Sequence, residues 1–160
     1  MRIVVMSDSH RNAGAVDDVI EKHLDTADMF IHLGDGEYET DIVMMQYPNK
    51  DIRRVAGNCD YNSSLPDYLV VDLPGARIFC THGHRFDVKY GLERIMSAAA
   101  QKKCNIILYG HTHERFQRYE DGVYIMNPGS CSCPRDGKPP SYGIIDITDK
   151  GIITNIADLK

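Results

Sequence analysis

The chain has 160 residues, 42% hydrophobic and 26% charged, with a formal net charge of −5. That length supports one domain with a genuine core and is too short for two ordinary ones, while the acidic balance argues against capture of nucleic acid by a basic face. No apolar run approaches the roughly 18 residues needed to cross a bilayer and no basic segment leads a signal-like stretch, so a cytoplasmic protein without a membrane segment is expected.

Residues 3–6 (Ile-Val-Val-Met) read as a buried strand by apolar content and length. Asn12 then stands where it can cap a helix over 13–24, in which Ala15, Val16, Val19, Ile20, His23 and Leu24 recur at helical spacing. A second strand is expected at 29–33. A helix over 38–47, with Ile42, Val43 and Met45 on its apolar side, is stopped by Pro48-Asn49, and 52–56 extend toward Asn58. From residue 68 the pattern changes: 68–73 and 77–81 flank Pro74-Gly75 as a hairpin, a helix covers about 89–102, and a strand follows at 105–109. Two more hairpins are expected, 115–119 with 123–126 around Asp121-Gly122 and 141–147 with 152–157 around Asp149-Lys150-Gly151. A βα-rich first half followed by a β-rich second half points to two stacked mixed sheets flanked by helices, not to one doubly wound sheet.

Five short clusters follow these apolar runs: Asp8-Ser9-His10, Gly34-Asp35, Gly57-Asn58, His82-Gly83-His84 and Gly110-His111-Thr112-His113. Open α/β sheets bind ligands at the carboxyl ends of their strands, so side chains far apart in sequence can converge there, and this set suggests a metal centre. Asp8 and His10, like His111 and His113, are two residues apart, and an extended backbone would aim each pair to one side. Taken alone, an Asp at a strand end is a turn or cap and a lone His is a hydrogen-bonded core residue. Five ordered motifs outweigh those readings, whereas His23 and His32 fall outside the pattern and are assigned to structure. Cys59, Cys80, Cys104, Cys131 and Cys133 form an odd set without C-x-x-C spacing, expected as free thiols in a reducing compartment.

The five motifs, together with Asn127-Pro128-Gly129-Ser130, resemble the calcineurin-like metallophosphoesterases, in particular the small single-domain phosphodiesterases of the MJ0936 and YfcE type, over nearly the whole chain. The resemblance implies an α/β fold, a four-layer α/β/β/α sandwich of two mixed β-sheets flanked by helices, with residues 1–160 as a single metallophosphoesterase domain. It implies two divalent ions, one held by Asp8, His10, Asp35 and His113, the other by Asp35, Asn58, His82 and His111, with Asp35 bridging. The thiolate-free donors accommodate Mn²⁺, Fe²⁺, Zn²⁺, Co²⁺, Ni²⁺ or Mg²⁺, and family grounds favour manganese. Two such ions against two carboxylates would leave about two net positive charges for an anionic substrate.

The activity implied is hydrolysis of a small phosphodiester by direct attack of a metal-bridging hydroxide, without a phosphoenzyme, since no Ser, Cys or His nucleophile is identifiable outside the ligand set. Many members of the family carry Gly-Asn-His followed by an acid; this chain reads Gly57-Asn58-Cys59-Asp60. A thiol is a poor proton donor to a leaving group, so acidic leaving groups, as in aryl phosphodiesters, are expected to be preferred. His84 either approaches the substrate or supports a ligand by hydrogen bonding, and Asp60 and Asn127 hold the ligand loops. Arg11 and Arg85 are either phosphate clamps or surface arginines. The competing classes are a non-catalytic interaction scaffold of the same fold and a nuclease. A homodimer or higher homo-oligomer is compatible with everything in the chain.

Overall fold

A computed structural model describes residues 1–159. Strand β1 (Arg2–Met6) is apolar on both faces, and its alternation gives each face a different partner. Ile3 and Val5 enter a core built from both sheets, while Val4 and Met6 pack onto helices α1 (Ala13–Lys22) and α2 (Glu37–Gln46). Strand β2 (Met29–His32) divides likewise, with Met29 and Ile31 turned to the shared core and Phe30 to the helices.

These strands belong to a five-stranded sheet ordered β10-β9-β1-β2-β3, completed by β3 (Ile52–Arg54), β9 (Ser141–Thr148) and β10 (Gly151–Asp158). The second sheet runs β4-β5-β6-β8-β7, from β4 (Tyr68–Leu73), β5 (Ala76–Thr81), β6 (Ile106–Leu108), β7 (Arg115–Glu120) and β8 (Val123–Pro128). Ala76, Ile78, Cys80, Ile106 and Leu108 face Ile3 and Val5 across the shared core; Phe79, Ile107 and Ile125 on the opposite face pack with Ile95 and Ala99 of helix α3 (Glu93–Gln101). The result is the expected α/β/β/α layering. Each fully buried Ile, Leu or Phe in these layers contributes about 1.5–3 kcal/mol of transfer free energy.

Register places the functional loops. In the first sheet Met6, His32 and Arg54 align across three parallel strands, and in the second Cys80, Leu108 and Met126 do the same. Six parallel strands therefore release their loops at the carboxyl edges of the two sheets. Those loops contain all five clusters, and the Asn127–Ser130 stretch straddles the end of β8.

Boundaries shift where backbone groups find other partners. Asn12 caps α1 through Oδ1, which accepts from Ala15 N–H at 3.1 Å, but the helix ends at Lys22, with His23 at its cap. The strand expected over 52–56 stops at Arg54 because Ala56 N–H bonds to Pro66 O at 2.9 Å. The helix expected from residue 89 begins at Glu93. A 3₁₀ turn at His84–Phe86, a left-handed Asp87 (φ 54°) and the bond from Tyr90 N–H to Asp87 O take the place of its first turn. Among the described residues no helix is long and apolar enough to cross a membrane, and all five cysteines are free.

His23 illustrates how the fold couples to pH. It is buried at 8% exposure with Nε2 3.0 Å from the Tyr142 hydroxyl, and burial, aided by Arg2 and Lys22, lowers its pKa. The unfolded chain takes up this proton near pH 6.5, the folded chain only at lower pH, so stability falls as pH drops below about 6.5. Thermal unfolding between pH 7 and 5 is expected to show this loss, and His23→Gln is expected to reduce the slope.

Candidate metal centre

The clusters meet at the carboxyl edge. Asp8 is fully buried: its Oδ2 accepts from the Ser7 hydroxyl at 2.6 Å and from His111 N–H at 3.0 Å. Its Oδ1 is buried without a hydrogen-bond partner, yet it lies 3.1 Å from His113 Nε2, 3.8 Å from His10 Nε2 and 3.9 Å from His82 Nε2. Asp35 Oδ2 stands 3.6 Å from His10 Nε2 and 3.4 Å from His82 Nε2, between the two groups of histidines.

Hydrogen bonds on the far side of each ring decide what faces inward. His82 Nδ1 donates to Leu33 O at 2.7 Å, and His113 Nδ1 donates to Cys133 O at 2.9 Å. A carbonyl only accepts, so in each neutral ring Nε2 presents a lone pair. The His113 lone pair faces Asp8 Oδ1 and His10 Nε2, the latter at 3.0 Å; that of His82 faces Asn58 Oδ1 at 3.1 Å and His111 Nδ1 at 3.2 Å. Nitrogen and oxygen atoms of seven side chains thus gather in one place. A buried carboxylate oxygen without a hydrogen-bond partner, beside the inward lone pairs of His82 and His113, is a donor set that suits a divalent cation. Asp8, Asp35 and His82, all buried, already offer ligand atoms within 4.8 Å of one another.

The protonation balance agrees. Burial works against charging Asp8, but His113, His82 and the Ser7 hydroxyl outweigh it and lower the pKa; Asp35 is likewise held well below the usual carboxylate range by His82 and by Cys59 N–H, which donates to Oδ1 at 2.7 Å. Burial also opposes charging His82 and His113, yet the adjacent carboxylates raise both. His111 goes the other way, to about 4, through burial and the proximity of His82. The field therefore keeps both carboxylates ionised and attracts positive charge to the middle of the cluster.

Local backbone makes this convergence possible, and here the geometry corrects the expectation. Asp8, His10, Asp35, His111 and His113 are not extended; all five have positive φ, between 42° and 71°. The paired residues meet through left-handed loop conformations, with Ser9 turned into the protein, because each strand has already ended. Such conformations cost about 1 kcal/mol or more per residue and persist only when neighbours over-determine them. The neighbours are identifiable. Asn127 Nδ2 donates to Gly110 O at 3.0 Å and to Thr112 Oγ1 at 2.9 Å, and the Ser130 hydroxyl donates to Asp8 O at 2.7 Å. Gly110 lets the loop pass so closely that an added Cβ would lie 1.9 Å from Ser7 Oγ.

A family model of the calcineurin-like phosphoesterase superfamily domain matches residues 1–150. The chain belongs to that superfamily. Phosphodiesterase MJ0936 of Methanocaldococcus jannaschii is 29% identical over 167 residues, covering 94% of this chain and 95% of that protein. The crystal structure of a predicted phosphoesterase from Streptococcus pneumoniae superposes with a TM-score of 0.87 at 32% identity, over 98% of this chain and 88% of the other. Vacuolar Protein Sorting 29 from Cryptosporidium parvum shares the fold at a TM-score of 0.74 and 19% identity, over 99% and 97% of the two chains.

The remaining candidates separate. His84 is half-buried, its ring centre 5.3 Å from that of His82 and 6.1 Å from that of His111; its Nδ1 is buried without a partner, and burial lowers its pKa, helped by His82. Arg11 is exposed at the rim beside His10, while Arg85 is exposed and paired with Asp67 at 2.8 Å. Asp60 spends both oxygens on backbone: Asp35 and Gly57 N–H donate to Oδ2 at 2.8 Å each, and Gly36 and Glu37 N–H donate to Oδ1 at 3.0 and 2.9 Å. Ser7, the carbonyls of Leu33 and Cys133, and a buried group of Ser9, His32 and Glu39 also shape the site; sequence reading did not single them out for it. The Ser7 contact carries no sequence signal, whereas the Asn127–Ser130 motif marks the clamp.

Four charge-assisted bonds make Asp60 a strut for the Asp35 loop. Asp60→Ala is expected to cost about 2–4 kcal/mol, measured as a lowered denaturant midpoint at unchanged slope, and Asp60→Asn to recover only part of it.

Proposed function

We propose that this chain is one metallophosphoesterase domain that hydrolyses a small phosphodiester, with Asp8, His10, Asp35 and His113 holding one divalent ion and Asp35, Asn58, His82 and His111 a second. The observation that carries the reading is Asp35 Oδ2, placed 3.6 and 3.4 Å from imidazole nitrogens of two separate groups, where one carboxylate serves both. When bound, such ions supply Lewis acidity toward a phosphoryl oxygen and acidify water. Manganese is the first expectation on family grounds, with the other borderline-hard ions compatible with the same donors. The five free thiols support a reducing, cytoplasmic setting.

The rest concerns the chain's own groups. Water is the nucleophile, because the nearby hydroxyls are engaged, the Cys133 thiol donates to the Asp8 carbonyl at 3.7 Å and the Cys59 thiol is inactive. Ser7 donates to Asp8, Ser9 to Glu39 and Ser130 to the Asp8 carbonyl, while burial and the Asp35 charge push the Cys59 thiol up to about 11. Cys59 therefore stays protonated and gives little help to a departing alkoxide. His84, neutral near pH 7, stands beside the His82 and His111 group as a hydrogen-bonding partner for the substrate. A cavity of about 610 Å³ adjoins His10, Asp35 and Cys59, and its wall carries Arg11 and the exposed rings of Tyr38 and Tyr61. It is the natural seat for the leaving group. Its two tyrosines suit an aryl group and Arg11 can meet a phosphate oxygen, while the carboxylates of Asp35, Glu37, Glu39, Asp41 and Asp60 in the same wall disfavour further negative charge on the leaving group.

A scaffold role is the second reading, favoured only by the fold shared with Vacuolar Protein Sorting 29. Complete ligand loops weigh against it. Hydrolysis of bis-p-nitrophenyl phosphate is expected to require added divalent metal, to stop with chelator, and to exceed that of a dialkyl phosphate. His82→Ala and Asp35→Asn are each expected to lose about 100-fold or more, above the cost of losing a ligand's supporting partner. Equal turnover of aryl and alkyl diesters would refute the leaving-group reading, and absence of any metal-dependent hydrolysis would refute the enzyme.

A further inference from the structure

Beneath the ligand loops lie three polar side chains with no place in the ligand set: Ser9, His32 and Glu39, exposed by 0%, 1% and 2%. Their hydrogen bonds run in a single direction. Gly34 N–H donates to His32 Nδ1 at 3.3 Å, so that nitrogen carries the lone pair and Nε2 the proton. His32 Nε2 lies 3.1 Å from Ser9 Oγ, and the Ser9 hydroxyl donates to Glu39 Oε1 at 2.9 Å. Arg11 N–H donates to the same Oε1. Glu39 Oε1 accepts from both, and because the Ser9 hydroxyl donates to it the Ser9 lone pairs are left for His32.

The two ends of this chain of bonds attach to different ligand loops. Ser9 sits between Asp8 and His10, and Arg11 follows them. His32 holds Gly34, the residue before Asp35 and after Leu33, whose carbonyl orients His82. Asp8, His10, Arg11 and Asp35 all have positive φ, so the backbone on both sides would relax without external restraint. Packing leaves the relay little freedom: an added Cβ on Gly36 would lie 2.1 Å from Ser9 Oγ and 2.4 Å from His32 Cε1.

We propose that Ser9, His32 and Glu39 are positioning residues that set the metal affinity of the whole centre by locking the Asp8–His10 and Gly34–Asp35 loops to one another. The inference rests on the metal-centre reading above and adds a control point to it. Losing a group that orients a ligand typically weakens metal binding roughly 10- to 100-fold, and a relay shared by two loops weakens both stages of loading.

The test is a Mn²⁺ titration of the full chain by calorimetry, with circular dichroism to confirm folding, on the wild type, Ser9→Ala, Glu39→Ala, Glu39→Gln and Gly36→Ala. Ser9→Ala and Glu39→Ala are expected to remain folded and to bind Mn²⁺ roughly 10- to 100-fold more weakly. Gly36→Ala is expected to weaken binding through the steric route alone. Glu39→Gln keeps an acceptor oxygen and is expected to restore most of the affinity that Glu39→Ala loses, a rescue that general loss of packing would not give. Folded Ser9→Ala and Glu39→Ala proteins with wild-type affinity would overturn the relay while leaving the metal centre standing. A wild type that takes up no Mn²⁺ would overturn both, and is a distinct result.

Discussion

Seven side chains converge on one region of the carboxyl edge, and most of the local structure there serves to hold them together. Asp8 Oδ1 is buried without a hydrogen bond, and the imidazole nitrogens of His10 and His113 stand 3.0 Å apart. Five of the seven residues adopt left-handed backbone at about 1 kcal/mol or more apiece. A structure tolerates such a concentration of unfavourable terms only where the rest of the molecule enforces it.

Enforcement comes in layers. The two sheets, packed through Ile3, Val5, Ile78 and Leu108, align the ends of six parallel strands, so each loop starts from a rigid point. Struts then act on the loops. Asp60 gathers four N–H groups around Asp35; Asn127 and Ser130 tie the His111–His113 loop and Asp8 to the end of β8. The carbonyls of Leu33 and Cys133 turn His82 and His113 so that Nε2 faces inward. Two further carboxyl groups, those of Asp60 and Glu39, flank these loops and accept from their backbone N–H groups.

Much of this was legible in the chain. Short apolar runs identified the strands, and clusters of Asp, Asn and His immediately after them identified the edge, because those residue types interrupt a buried pattern in which they have no structural reason to recur. The layered sandwich followed from the change from βα units to hairpins. What was hidden is conformational. Two-residue spacing reads as alternation on a strand, yet Asp8 and His10 sit beyond the strand in left-handed backbone, a choice that depends on tertiary partners. Glu39 is a residue type usually solvated on a helix, and only the fold shows it 2% exposed beneath Ser9. His32, inside an apolar strand, reads as structural, and its direction of donation depends on Gly34 N–H, which composition does not reveal.

The central claim is the proposal that these side chains would hold two cations with Asp35 shared between them. Anomalous diffraction from crystals of Mn²⁺-loaded protein tests it most directly. Two peaks are predicted, one on each side of Asp35, the first among Asp8, His10 and His113 and the second among Asn58, His82 and His111. A single peak, or density away from these side chains, would contradict the account.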